Sequence, residues 1–452
     1  MMNQLNSFFC FNKFLFFLFI LLNPVFLFSS HNTSRYFPFL EKPEDYVSLG
    51  KKTYITPSLF LTTASTAYRR GGGNTGIPEL WGDYDLKDII FALKQVDPFY
   101  IDPTFLEKGT KDWVGKSIKF NVGGKITSRG LNLGYKQNLH FGGLSLGGFI
   151  PFAHVKTTSR FVFINDGSDI GVNNLKIGEQ YQVDRIRTQV QNDLGVMGSD
   201  WSKTGFGDLD LFINWEKNWD HKLLIRNIDL NLRFGVLCPT GIKRDINCPT
   251  SVPFTNNGHW GGYLDAVLDL ELKQDLRFGM MFGFMDLFKK TMLRRISVYK
   301  EPVIFSPLIS EVSVNPGITF KFSPYLEFQN IRDGLNLQGR FTYLKHSADT
   351  WKDMRSDDVV KSYLDQTVDS LRDLQDYPNY ATSEDIRKNK EHKEYISRWS
   401  SYYLTLELTY NSKEAFNNWL LQPIIYFIYD YPASGGGISK THQLTLGVEL
   451  HF

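Results

Sequence analysis

Stretches in which apolar and polar side chains alternate one for one recur along most of this chain, and period two is the signature of a strand with two unlike faces. In 224–237, which Arg226 interrupts at the start, Ile228, Leu230, Leu232, Phe234 and Val236 share one face, and Asn227, Asp229, Asn231, Arg233 and Gly235 the other. Leu264, Ala266, Leu268, Leu270 and Leu272 alternate with Asp265, Asp269 and Glu271. Leu404, Leu406 and Leu408 alternate with Thr405, Glu407 and Thr409. In 207–216, Leu209, Leu211, Ile213 and Trp215 oppose Asp208, Asp210, Asn214 and Glu216, and Phe212 breaks the polar row. The last segment sets Leu444, Leu446, Val448, Leu450 and Phe452 against Gln443, Thr445, Gly447, Glu449 and His451. Weaker segments fall at 117–127, 131–141, 143–154, 276–288, 316–328, 334–346 and 418–430.

Segments of about ten residues suffice to cross a hydrocarbon layer as tilted strands. The pattern therefore predicts an all-β fold, an antiparallel transmembrane β-barrel over 116–452 with apolar rows toward lipid and polar rows toward the lumen. The lumen-facing set is then Asp208, Asp210, Asp229, Arg233, Asp265, Asp269, Glu271, Arg340, Glu407 and Glu449, with Lys119, Lys125, Lys136 and Lys321 among the cations. Both signs occur, which favours internal ion pairs over a strongly ion-selective pore. The strand at 276–288 is apolar on both faces, with Phe278, Met280, Phe282 and Phe284 opposing Met281 and Met285, as is 420–430. Such an inner strip either conducts a hydrophobic solute or packs against a plug. A soluble sandwich ranks lower, because it rarely keeps an uninterrupted apolar row in so many long segments, and the absence of a fixed internal repeat disfavours a propeller.

The remaining signals agree with export. From Phe14 to Phe28 the chain is apolar apart from Asn23 and Pro24, preceded by Lys13. Residues 1–30 thus read as a signal peptide cut near Ser29 or Ser30, the alternative being an uncleaved anchor. No other segment is apolar over 18 residues, which excludes a helical multispan protein. The net charge of +2 argues against a nucleic-acid partner. A terminal alternating strand ending in Phe452 is the kind of signal that the outer-membrane assembly machinery reads. The expected location is the bacterial cell outer membrane, with membrane lipid and that machinery as partners and a small-molecule solute as cargo.

Twelve strands put both termini on the periplasmic side. Counting back from Phe452, short turns near 142, 217–223, 273–276, 329–334 and 411–418 lie inside. The long connections 155–205, 238–261, 289–315 and 347–398 lie outside. Segments near 54–66 and 157–164 would raise the count to fourteen. Residues 31–115 read as an N-terminal plug or periplasmic extension with a helix candidate at 84–96. The outer loop 347–398 carries another at 356–375, where Val360, Leu364, Val368 and Leu371 share a face. Cys238 and Cys248 share one external loop of an exported chain and read as a disulfide, the alternative being two free thiols.

Chemistry signals are few. Gly143-Leu144-Ser145-Leu146-Gly147 matches G-x-S-x-G, but a hydrolase needs that serine on a strand-to-helix elbow and no helix follows. The histidines are scattered, so no metal or cofactor site is indicated. Trp201, Trp215, Trp219, Trp260, Trp399 and Trp419 fall near strand ends and read as an interfacial girdle.

A Gly-x-Gly-Asp-Leu strand start at Gly205-Phe206-Gly207-Asp208-Leu209, followed by Pro239-Thr240-Gly241 at the outer end of the next strand, resembles the MetA-type phenol-degradation family of outer-membrane proteins, relatives of the FadL-like barrels. The resemblance covers about 200–275 and implies uptake of small hydrophobic molecules. It lacks a counterpart to the FadL-like hatch. The expected function is passive passage of small solutes, hydrophobic ones included, without enzymatic activity. The alternatives are a closed structural or adhesive surface barrel acting through its loops, and an outer-membrane hydrolase.

Overall fold

A computed structural model describes residues 34–37, 53–82, 84–97, 99–106, 113–139, 141–163, 177–196, 200–220, 225–297, 300–354, 397–412 and 423–451. Twelve strands form the wall: β1 (Tyr54–Ala64), β2 (Lys119–Asn138), β3 (Leu144–Phe163), β4 (Leu209–Asp220), β5 (Asn227–Cys238), β6 (Gly261–Lys273), β7 (Leu276–Leu287), β8 (Thr319–Arg332), β9 (Leu335–His346), β10 (Trp399–Asn411), β11 (Ile424–Gly436) and β12 (His442–His451). Each is antiparallel to the next, and β1 pairs with β12 from Tyr54↔His451 to Thr63↔His442. The sheet closes on itself, so no backbone edge is left to face lipid. Two short strands, Tyr84–Asp85 and Asp200–Phe206, add to the sheet beside β2 and β3.

The count of twelve stands, but its membership differs from the sequence reading. The segments predicted at 117–127 and 131–141 fall largely within one 20-residue strand, β2 (Lys119–Asn138). The segment at 54–64 is a wall strand, and 157–163 continues β3. The reason is an inversion of polarity within a single strand. In the lower half of β2, Leu131, Leu133 and Tyr135 point outward and are exposed, while Asn132 and Lys136 are buried inside. In its upper half the buried inner row is Phe120, Val122 and Ile126, and Asn121, Lys125 and Arg129 are exposed. β3 inverts at the same level, between Phe152 and His154, which pair with Leu131 and Arg129. Above this line the barrel wall becomes an ordinary water-soluble sheet. Lys119 and Lys125 accordingly lie on the outward row rather than in the lumen.

That upper sheet carries an external cap. Helix α1 (Leu86–Val96) starts at Asp85, whose side chain accepts the Lys87 N–H and so satisfies one orphan donor of the first turn. Its buried face, Leu86, Ile89, Ile90 and Leu93, meets Val183, Ile186 and Val190 of helix α2 (Ile177–Asp193) over Phe120 and Val122. Much of 31–115 is thus wall or cap, and α1 sits at the end opposite the short turns. Residues 34–37 lie at the outer mouth, with Tyr36 and Phe37 packed among Phe60, Ile242 and Phe254. A three-stranded sheet, Lys290–Ile296, Leu308–Asn315 and Thr350–Asp353, completes the same end. The signal-peptide candidate at 1–30, the helix candidate at 356–375 and Phe452 lie outside the described residues.

Candidate transport lumen and its outer mouth

The lower lumen is lined by charges joined across strands. Arg277 on β7 bridges Asp229 on β5 and Asp269 on β6, its Nε lying 2.6 Å from Asp269 Oδ1. Asn218 donates to Asp229 Oδ1 at 2.6 Å. Lys136 pairs with Glu216, Lys321 with Asp265 at 3.8 Å, and Arg340 with Asp430 at 4.0 Å. Asp430 also accepts from Thr405 Oγ1 at 2.6 Å. Glu271 reaches Arg226 at 3.6 Å near the turns, Glu449 contacts His451 at 2.8 Å, and Glu407 accepts from Thr409. Burying charges this completely is tolerable only when each finds an opposite charge or a donor.

Aromatic rings fill the spaces between these pairs by lying across inward-facing glycines of the neighbouring strand. A Cβ on Gly279 would strike the ring of Tyr325, one on Gly235 that of Tyr263, and one on Gly447 that of Tyr426. Each glycine lets a ring lie flat along the wall. Tyr263 thereby crosses β5 and donates to Asp210 on β4 at 2.9 Å. Tyr325 crosses β7 and donates to Asp269 on β6 at 2.5 Å. Phe212, the residue that broke the polar row, lies over Gly147 and carries the Arg233 guanidinium 4.3 Å above its ring. From the rim down, β7 shows the lumen Leu287, Met285, Gly283, Met281 and Gly279 before Arg277. These apolar residues pack on wall neighbours, Met285 and Leu287 against Phe212, Leu237 and Tyr263, and Met281 against Val267 and Tyr325.

At the outer mouth the loop between β5 and β6 turns inward, and Asp208 holds it there. Its carboxylate accepts the N–H of Gly241 at 2.8 Å and of Asn256 at 2.9 Å, while its own N–H donates to Thr255. Thr240 accepts from the Leu209 N–H and donates to the Gly207 carbonyl. The two sequence motifs at 205–209 and 239–241 are thus halves of one clasp, and Asp208 acts on a loop rather than on the pore. Cys238 and Cys248 are free thiols, not a disulfide. Cys238 closes β5, whereas Cys248 is buried in the folded loop with Sγ 3.3 Å from Thr250 Oγ1.

Other parts of the rim are braced by side chains that sequence reasoning did not single out. His346 Nδ1 lies 2.8 Å from Thr319 Oγ1 and its Nε2 2.9 Å from Asp349 Oδ1, with Trp399 stacked on the ring. Burial pushes the Asp349 carboxyl up, but the His346 contacts and the Gly317 N–H outweigh it and leave the group below the usual carboxylate range. Thr319 is itself buried, so this hydroxyl–imidazole–carboxylate array ties 317–319 to 346–349. Trp399 is buried inside and Trp201 packs under the mouth, so neither belongs to a girdle. Trp219 and Trp260 are exposed, and Trp419 lies outside the described residues. Ser145 occupies an inward position in β3 with no elbow.

The outer surface opposite the lumen decides what surrounds the wall. Leu59, Leu61, Leu133, Leu211, Ile213, Leu404, Leu406, Ile425 and Leu446 are all exposed there, on six different strands, Leu59 by 59%. Only lipid makes such a belt stable. The fold is that of an outer-membrane β-barrel. No protein-family model matches the chain, and no curated protein matches it. Among solved structures it is similar to the COG4313 outer membrane channel from Pseudomonas putida F1, at 12% identity over 91% of this chain and 100% of that one, with a TM-score of 0.45. It is also similar to a Pseudomonas aeruginosa FadL homologue, at 9% identity over 89% and 90%, TM-score 0.29. A third likeness is to the outer membrane protein OprD from the same species, at 7% identity over 94% and 98%, TM-score 0.27.

Proposed function

We propose that this outer-membrane barrel lets small solutes pass passively, and that the inward apolar strip on β7 extends its range to hydrophobic ones. The observation that carries the reading is this strip, Leu287, Met285 and Met281 with Tyr263 and Val267 beside them, running from the mouth into an otherwise polar lumen. The strip is closed by side-chain packing at rest, so an apolar solute moves along it as these side chains shift, above the Arg277 bridge to Asp229 and Asp269 at its lower end. No covalent chemistry is needed. Export by residues 1–30, membrane insertion through recognition of Phe452 by the assembly machinery, and uptake belong to the same reading.

The test is planar-bilayer conductance together with uptake into proteoliposomes. The barrel is expected to conduct salt weakly and to admit a small aromatic hydrocarbon. Met285→Asp should cut aromatic uptake severalfold while leaving salt conductance near its starting value. Absence of both conductance and uptake would overturn the proposal. A second reading, a surface barrel acting through its cap, is favoured by one observation. Phe99, Ile101, Phe105 and Leu106 stand 90%, 62%, 57% and 67% exposed at the tip beyond α1. Specific capture of another protein, lost in Phe99→Ser, by a barrel that passes nothing would select it.

A further inference from the structure

The outer mouth gathers cations in a way that neither the wall nor the passage of neutral solutes explains. Arg35 and Arg244 both rest on the indole of Trp81, with guanidinium carbons 4.7 and 4.5 Å from the ring centroid. Arg294, on the external hairpin, faces Trp351 at 5.9 Å. Beside it, Arg295 donates to the carbonyls of Ile246, Ser306 and Leu194 and so fastens three connections of the cap around the group. Arg295 is consumed by this bracing. Arg244 and Arg294 are not: both are half-buried, Arg244 makes a 3.3 Å hydrogen bond to the Pro249 carbonyl, and Arg294 Nε is buried without a hydrogen-bond partner among the described residues. Stacking on indole leaves the guanidinium edge, where the N–H donors lie, open to a ligand.

The local charge balance points the same way. Asp349 acts on both Arg35 and Arg294 and is itself engaged by His346 and the Gly317 N–H. Burial, and then the nearness of Arg244, pull Arg294 down to about 10. Burial and Arg35 likewise lower Arg244, although Tyr36 and Cys248 act against them. A cluster of cations held in partly desolvated space by rigid packing binds an anion at little reorganisation cost.

We propose that Arg244 and Arg294, with Arg35 behind them, form a binding site for an oxyanion at the outer mouth. The ligand carries a carboxylate or a phosphate, presented either by a free solute or by an anionic lipid headgroup. The planar forks of Arg244 and Arg294 suit such groups, and Trp81 and Trp351 hold the forks in place. The site goes beyond solute passage: binding at equilibrium is measurable whether or not anything crosses the barrel.

The test is titration of the purified full-length barrel, in zwitterionic detergent, with inorganic phosphate and with benzoate, read by calorimetry and by tryptophan emission. Saturable binding of at least one probe is expected. Arg244→Gln and Arg294→Gln should each weaken it about tenfold or more, since a charge-assisted hydrogen bond is lost, whereas Arg244→Lys, which keeps the charge but not the stacked fork, should weaken it less than Arg244→Gln. Repeating the titration in nanodiscs separates the sources: loss of probe binding in anionic but not zwitterionic lipid identifies the headgroup as occupant, and equal binding in both identifies a free solute. Cold-gel mobility and circular dichroism report assembly, and if one Gln variant does not assemble the other carries the test. No saturable binding of either probe, or affinity unchanged in the assembled Gln variants, overturns the site.

Discussion

The lower and upper halves of β2 and β3 are the same two paired strands in opposite surroundings. Below the Leu131–Phe152 level the outward row is apolar and the inward row is polar, with Asn132, Lys136 and Ser145 buried. Above it, Phe120, Val122, Ile126, Ala153 and Val155 are buried inward, and Lys125, Lys156 and Arg160 stand outside. Backbone pairing continues across the boundary without a break in register. The hydrogen-bonded ladder is therefore indifferent to solvent, and side-chain polarity alone tells which half is in lipid. What holds the two halves together differs correspondingly. The cap has an apolar core shared with α1 and α2, whereas the membrane half is held by ion pairs and by rings laid over glycines.

The contrast can be broken most forcefully in the cap core. Phe120→Ala should cost about 3–5 kcal/mol of local stability, seen as rapid amide exchange and proteolysis in α1 and α2, while the barrel keeps its detergent-resistant gel mobility. Loss of the whole barrel would show that the halves are not separable. Next, Leu133→Lys, on the outward row in lipid, should destabilise by about 2–4 kcal/mol in urea unfolding from vesicles. Lys125→Leu, on the same row above the line, should stay within about 0.5 kcal/mol. Equal costs would erase the boundary. Third, Gly279→Ala should cost about 1–3 kcal/mol by dislodging Tyr325 from its ring seat and from Asp269, read in the same unfolding assay.

The smallest effect is electrostatic. Burial, then Asp85, raises the Asp88 carboxyl to about 6. Because its folded value lies above its unfolded one, the folded cap pays for an ionised carboxylate as pH rises through 6, and pays nothing below the unfolded value near 4. Asp88→Asn should therefore slow amide exchange in α1 at pH 7 and make no difference at pH 3.5. A benefit of equal size at both pH values would rule out the charge as its cause.

The wall was readable because alternation is a local signal. Ten-residue rows such as those of β5, β6, β10 and β12 announce their own faces. β2 was misread for the same reason: a row that switches from Phe120, Val122 and Ile126 inward to Leu131, Leu133 and Tyr135 outward looks like two strands when apolar is equated with lipid. Helix α1 falls on the helix candidate at 84–96. Helix α2 lay in a stretch taken as loop, although Val183, Ile186 and Val190 recur at helical intervals. The Asp208 clasp showed as two motifs but not as one contact, since its partners are separated by 33 and 48 residues. The arginine cluster left no local trace, because Arg35, Arg244 and Arg294 come from three distant connections.

The docking of Tyr36 at the rim sets an order of events. Its carbonyl accepts from Thr441 Oγ1 at 2.7 Å, across 405 positions of sequence, and the Arg35 carbonyl accepts the Ser439 N–H. Those acceptor and donor groups face each other only after the last hairpin, β11 to β12, has reached β1. Residues ahead of the first wall strand are thus seated by the last hairpin, and so long a loop closure is expected late in folding. An intermediate stalled before that closure shows an unsealed rim, with Tyr36 and Phe37 still looking for their seat.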